Sequence, residues 1–60
     1  MTGIPSTEIV WVTITDDLGD EYVITSRSDR NIYYIYRLEN DKAVKLGKNE
    51  NPLELENQFI

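Results

Sequence analysis

The stretch Asn31-Ile32-Tyr33-Tyr34-Ile35-Tyr36-Arg37-Leu38 decides the fold, because it is apolar on both of its faces. Successive side chains of a strand point to opposite sides of the sheet. The even-numbered residues from Ile32 to Leu38 therefore line one face, and Tyr33 and Ile35 line the other. A short chain covers one sheet face more easily than two. We therefore expect a partner, or the C-terminal segment, to cover the second face.

Three other segments have the β-branched composition that is typical of strands, namely residues 8–15, 21–26 and 43–47. Turn-forming residues separate the four candidate strands, with Gly19 in the first turn and Asn40 and Asp41 in the third. The sequence therefore predicts a mainly β fold, in which residues 8–47 form a four-stranded antiparallel meander sheet.

The C-terminal segment carries two conflicting patterns. Asn51, Pro52 and Glu54 supply an N-cap, a proline at the first helical position and an acidic first turn. These features favour a short C-terminal helix over residues 51–58. The run Leu53-Glu54-Leu55-Glu56 alternates with a period of two, as a strand would. We expect the helix; the alternative is a five-stranded small barrel that is SH3-like in shape only.

The chain of 60 residues predicts a single small domain, residues 1–60. Residues 1–7 include Gly3, Pro5 and Ser6 and are expected to form a flexible lead-in. Domains of this size bury about 60% of their unfolded surface, so their stability is marginal. Oligomerisation is one common compensation, and it remains open to a chain that contains no cysteine.

The absence of cysteine and histidine excludes much chemistry. It removes disulfides, thiolate nucleophiles, imidazole bases and the usual zinc, copper and iron sites. A pair of carboxylates could still act on a substrate, but such a site needs a cleft that so short a chain can hardly enclose. We therefore expect a protein that is not an enzyme and has no cofactor and no small-molecule substrate.

The chain is acidic, with a net charge of −5, although all six basic residues fall between positions 27 and 48. Phosphate binding needs a basic surface, so nucleic acid is not expected as a general partner. The sequence contains neither a run long enough to span a bilayer nor a secretory segment, and we expect no membrane partner. Together with the absence of cysteine, this favours a cytoplasmic location.

Four carboxylates surround the first turn, on Asp16, Asp17, Asp20 and Glu21. Hard cations such as calcium prefer oxygen ligands. The spacing does not match an EF-hand loop, however, and no more distant ligand is evident. We expect a solvated hairpin turn and no metal site.

The candidate functional residues form an aromatic and aliphatic group on one face of the predicted sheet. If the first turn pairs Asp16 with Asp20 and the second pairs Ser26 with Ile32, Trp11 lies opposite Thr25, and Arg37 lies beside Glu21. These registers bring together Trp11, Val23, Tyr33 and Ile35, with Arg37 at the margin, and place Val10 on the other face, which is the expected core. Tryptophan, tyrosine and arginine dominate binding hot spots because they combine large rigid surfaces with polar atoms. We expect this group to bind a protein partner or a second copy as a homodimer. The competing interpretation is that the apolar C-terminal residues cover the group as ordinary core.

A nucleic-acid-directed role is the alternative function. Tyrosines near basic residues on the third strand could stack on single-stranded bases. An acidic domain could instead imitate DNA and inhibit a DNA-binding enzyme, because complementary potential selects the partner. The affinity of either kind of binding should fall steeply as the salt concentration rises, whereas the affinity of an apolar protein contact should not.

Overall fold

The structure is a computed structural model that describes residues 3–60. It contains an open antiparallel sheet in meander order and one C-terminal helix. The elements are β1 (Glu8–Thr15), β2 (Glu21–Arg27), β3 (Tyr33–Glu39), β4 (Lys42–Asn49) and α1 (Pro52–Phe59). The predicted fold class is thus confirmed, and the tail forms the helix rather than a fifth strand. Strands β2 and β4 run further than predicted.

The first and third hairpin turns have the geometry that their residues predict. The Asp16 N–H donates to the Asp20 carbonyl over 3.0 Å, and Gly19 has a φ of 86°. This is a type I turn that ends in a left-handed bulge residue. Asn40 and Asp41 both have positive φ, 48° and 66°, as a two-residue type I′ turn requires.

The second hairpin differs from its predicted register by one residue. The turn lengths suggested that Ser26 lies opposite Ile32, but Ser26 pairs with Tyr33. Ile32 belongs to the connection, where its carbonyl accepts a hydrogen bond from the Arg27 N–H over 3.4 Å. A one-residue slip moves every side chain to the other face relative to the neighbouring strand. As a result, Ile24 lies opposite Ile35, and the prediction that Val23 shares a face with Ile35 is wrong.

The main core lies between α1 and one face of the sheet. Its buried residues are Tyr22, Ile24, Ile35 and Leu55, with Val12, Ile14, Tyr33, Leu46 and Phe59 packed around them. The Asn51 side chain caps α1 by accepting from the Leu53 N–H over 3.0 Å. Gly47 leaves room for the helix, because a Cβ there would lie 2.7 Å from the Phe59 ring. The helix therefore covers the face that carries Ile35, through Leu55 and Phe59, whereas Leu53, Ile60 and Trp11 remain exposed.

The opposite face is also buried, although α1 does not lie on it. Val23 and Tyr36 are each 1% exposed, and Thr25 is fully buried. Gly3 has a φ of 102° and lies against the backbone of Ala43 on β4, the strand farthest from β1. Residues 3–7 therefore connect the β4 side of the sheet to the start of β1, and on the buried face the Lys45 side chain lies over the rings of Tyr34 and Tyr36. The part of the predicted flexible lead-in that falls on residues 1–2 lies outside the described residues.

Candidate protein-binding surface

The five predicted site residues do not form one surface. Val23 and Ile35 are 1% and 0% exposed and belong to opposite faces of the sheet. Trp11 is 51% exposed, and Tyr33 is half-buried beside it. Their ring centroids lie 5.5 Å apart at an interplanar angle of 65°, an edge-to-face contact. The structure therefore brings Trp11 and Tyr33 together and places Val23 and Ile35 in the interior.

A β-bulge explains why Trp11 is exposed. Val10 and Val12 of β1 lie opposite Thr25 and Ile24, which are consecutive residues of β2. Trp11, between them, therefore has no β2 residue opposite it. The sequence-based register placed Trp11 itself opposite Thr25. A bulge inserts an extra residue and bends its strand. It leaves the Trp11 ring against Tyr33 at the margin of the core, where half of its surface faces solvent.

Two exposed aliphatic residues precede Trp11 at this edge of the sheet, Ile9 on the face of Tyr33 and Val10 on the opposite face. Ile9 is 60% exposed and Val10 is 51% exposed. We call the group Ile9, Val10, Trp11 and Tyr33 the β1 apolar surface. Sequence reasoning missed Ile9 and placed Val10 in the core. The available signal was the uninterrupted apolar run over residues 9–12, which cannot alternate regularly between a buried and an exposed face.

Arg37 does not border the β1 apolar surface. It lies four residues along β3 from Tyr33, a separation of about 13 Å at the usual rise of a strand. Its guanidinium contacts the Asp20 carboxylate at 3.3 Å and the Glu39 carboxylate at 3.7 Å. The Asp20 charge raises the pKa of Arg37. The predicted pairing with Glu21 is replaced by Asp20, because Arg37 lies opposite Tyr22.

The acidic turns occupy the end of the sheet that carries Arg37. A shallow cleft of about 380 Å³ lies there, lined by Gly19, Asp20, Glu21, Leu38, Asn40 and Asp41. The Asp16 carboxylate stabilises the first turn, because its Oδ1 accepts hydrogen bonds from the N–H groups of Leu18 at 3.0 Å and Asp20 at 2.8 Å. Within residues 3–60, no group of three or more carboxylates is arranged to hold a metal ion.

Glu8 fastens the first residue of β1 to the sheet. Its Oε1 accepts hydrogen bonds from the Thr25 hydroxyl on β2 and the Tyr36 hydroxyl on β3, each over 2.6 Å. Burial, followed by the hydrogen bond to Glu8, raises the pKa of Tyr36. The β1 apolar surface, which starts at the next residue, is therefore carried by an anchored strand.

The other tyrosines of β3 are not open stacking platforms. Tyr34 is 8% exposed, and the Lys45 ammonium lies 4.4 Å from its ring centroid. Tyr36 is almost fully buried beneath the same lysine, whose Nζ lies 5.7 Å from its ring centroid. Base stacking needs an accessible aromatic face. Tyr33 is the most exposed of the three tyrosines on β3, and the Trp11 ring already contacts it.

No protein-family model matches the chain, and neither a curated protein nor a solved structure matches it. In the part of the chain that the structure describes, no helix is long and apolar enough to cross a bilayer. Any assignment of function therefore depends on the geometry of this chain alone.

Proposed function

We propose that this chain is a non-enzymatic protein-binding module whose contact site is the β1 apolar surface. One observation carries the proposal: the single tryptophan of the chain is half exposed on an edge strand, beside two aliphatic residues that are equally open. Burying such side chains against a partner gains about 25 cal/mol per Å² of apolar surface. Exposure of this kind has no benefit for an isolated domain of marginal stability.

The geometry of the site suits a hot spot. Tryptophan and tyrosine contribute large contact areas with little loss of side-chain freedom. The edge-to-face contact with Tyr33 holds the Trp11 ring in place before any partner arrives. Preorganisation of this type reduces the entropy that binding must overcome.

The nucleic-acid alternative has weaker support. Tyr34 and Tyr36 are buried, so the aromatic residues nearest to basic side chains have little surface left for bases. The acidic turns could resemble phosphates, but Arg37 lies among them and forms ion pairs with Asp20 and Glu39. The exposed area that needs a partner is the apolar one.

The test is affinity capture with the tagged chain, using an untagged copy and a lysate of the producing cells as two separate sources of partner. Trp11→Ser removes the centre of the surface. Leu18→Ser is the matched control, because Leu18 is 88% exposed but lies in the first turn, away from the surface. We expect the wild type and Leu18→Ser to capture the same protein and Trp11→Ser to lose at least about 90% of it, also at high salt.

Circular dichroism and thermal melting first establish whether the Trp11→Ser variant is folded, and only then is its capture compared with that of the wild type. Equal capture by a folded Trp11→Ser variant would overturn the proposal. Capture that falls steeply with salt but not with Trp11→Ser would favour the nucleic-acid-directed alternative instead.

A further inference from the structure

The outer edge of β1 presents a regular set of open peptide groups. In an antiparallel ladder, hydrogen-bonded and non-hydrogen-bonded pairs alternate. The hydrogen bond between Asp16 and Asp20 across the first turn makes them a bonded pair, and the β1–β2 pairs alternate between bonded and non-bonded from there. At the far end of β2, the Arg27 N–H donates to the Ile32 carbonyl on the β3 side, so Arg27 is not bonded to β1. Both observations give the same phase for β2. Where a β2 residue is not hydrogen-bonded to β1, the peptide groups of the β1 residue opposite it point away from the sheet into solvent.

These outward positions are Val10, Thr13 and Thr15, together with the carbonyl of Glu8. The Glu8 N–H is already bound, since it donates to the Pro5 carbonyl over 3.1 Å. Within residues 3–60, no hydrogen bond reaches the outward groups of Val10, Thr13 or Thr15. An edge of this kind is a template for another strand.

The side chains of β1 do nothing to discourage such pairing. Edge strands are usually protected by lysine, proline or inward-pointing charges. The residues from Ile9 to Thr15 include no charged residue and no proline, and the bulge at Trp11 is their one protective feature. Strand β4, the other edge, carries Lys42, Lys45 and Lys48.

We propose that β1 pairs antiparallel with β1 of a second copy of this chain, about a two-fold axis that passes between Trp11 and Val12. The proposal rests on the proposed function and names its partner. In this register Val10 lies opposite Thr13 of the second copy, and Glu8 lies opposite Thr15. The N–H and carbonyl groups of Val10 and Thr13 can then bond across the two copies, and the Thr15 N–H of each copy can donate to the Glu8 carbonyl of the other.

The bulge makes this register self-consistent. It shifts the alternation of faces between the two halves of β1, so that Ile9 and Ile14 both lie on the α1 face. Strands that pair about a two-fold axis must place side chains of the same face opposite each other. Ile9 meets Ile14 of the second copy, and the two Trp11 rings flank the axis. Despite the net charge of −5, no two charged residues lie directly opposite each other within the paired strands.

Growth stops at two copies. Once the two β1 strands are paired, each free edge of the joined sheet is a β4 strand with its three lysines. Such an edge repels another copy of itself and resists further pairing. A closed dimer, rather than a fibre, is the expected product.

The test exchanges charges at the positions that the register places opposite each other. The Val10→Lys/Thr13→Lys variant puts lysines opposite lysines on both sides of the two-fold axis, and the Val10→Glu/Thr13→Glu variant does the same with carboxylates. Sedimentation equilibrium should find the wild type reaching twice the chain mass of 7.0 kDa as concentration rises. We expect each variant alone to dissociate about 100-fold more readily, and an equimolar mixture to restore the dimer. Leu18→Lys, in the exposed first turn, is the control and should dimerise as the wild type does.

The proposal fails if the lysine and glutamate variants each dimerise like the wild type, or if mixing them restores nothing. If either variant unfolds, amide hydrogen exchange of the wild type tests the pairing instead. The Val10 and Thr13 amides should become protected as concentration rises, and protection that does not depend on concentration overturns the pairing. A wild type that stays monomeric overturns this inference alone when capture of another protein still depends on Trp11. If no such capture exists either, the proposed function fails with it.

Discussion

The two edge strands of this sheet, β1 and β4, are treated in opposite ways. Strand β4 carries three lysines, is followed by the helix that packs on it, and has Gly3 against its backbone at Ala43. Strand β1 has no charged residue after Glu8 and leaves three apolar side chains in a row about half exposed. Both edges belong to the same four-stranded sheet, yet the covering segments gather at one of them.

The exposure on β1 is not a general consequence of small size, because β4 is protected in the same chain. The chain has enough apolar residues to cover both faces of the sheet, and it protects β4 with charge. A sheet that needed no partner would gain by protecting both edges. The unprotected strand therefore supports the proposal that β1 is the site of contact with another protein.

The largest effect should come from the residue that fixes the helix to the β3–β4 half of the sheet. Leu55 is fully buried, and Leu55→Ala should lower the free energy of unfolding by about 2–5 kcal/mol through the cavity it leaves. Leu53→Ala, on the same helix but at a side chain that is 60% exposed, should change it by less than about 0.5 kcal/mol. Urea unfolding measures both. Equal losses would mean that the helix does not hold this half of the fold.

Strand β1 should depend most on Glu8. Glu8→Ala leaves the hydroxyls of Thr25 and Tyr36 without their acceptor and should cost about 1.5–3 kcal/mol of unfolding free energy. Glu21→Ala is the control, because Glu21 is exposed and begins β2. Chemical denaturation compares the two variants, and an unaffected Glu8→Ala protein would show that β1 is held by its ladder alone.

Alkaline pH should act on the same anchor. Burial raises the pKa of Tyr36 above its ordinary value of 10.0, and burial together with Asp16 raises the pKa of Tyr22. The unfolded chain therefore loses these protons first. Their contribution to stability is complete below about pH 10 and declines as pH rises toward the folded-state values.

Thermal melts between pH 8 and pH 11 measure this decline. We expect Tyr36→Phe to lose about 1 kcal/mol at neutral pH, from the missing hydrogen bond to Glu8, and to show a shallower alkaline decline than the wild type. If the melting temperature of the variant falls with pH as steeply as that of the wild type, Tyr36 does not cause the alkaline decline.

The smallest effect concerns the protection of β4. Lys45 lies over the rings of Tyr34 and Tyr36, and Lys45→Gln should lose about 0.5–1 kcal/mol of that attraction. Lys42→Gln keeps this contact and serves as the control. If charge is what protects β4, the Lys45→Gln/Lys48→Gln variant should also associate beyond the dimer in sedimentation velocity. A variant that stops at the same mass as the wild type would mean that other features protect this edge.

Local residue chemistry predicted most of the fold. Gly19, and the pair Asn40 and Asp41, fix the conformation of two turns because few residues tolerate positive φ. Asn51 and Pro52 likewise specify the start of α1. The strands follow from composition and alternation, and the meander order follows from the short turns between them.

The candidate site was harder to predict because it depends on two registers. The polar connection between β2 and β3 contains no glycine and no residue that dictates a turn type, so its sequence left the pairing of Ser26 open by one position. The bulge at Trp11 is a tertiary feature, and it separates Val10 from the core. Trp11 and Tyr33 were nevertheless predicted to lie on the same face of the sheet, and in the structure their rings are in contact.

The meander order also has a kinetic consequence. Each strand pairs only with strands next to it in the chain, so every pairing closes a short loop, and loop closure is the slow entropic step for sheets. The two tight turns can form their hairpins independently, and α1 then docks on the strands that immediately precede it. We expect the main refolding phase to be rapid, without the delay that a sheet joined by distant strands would suffer.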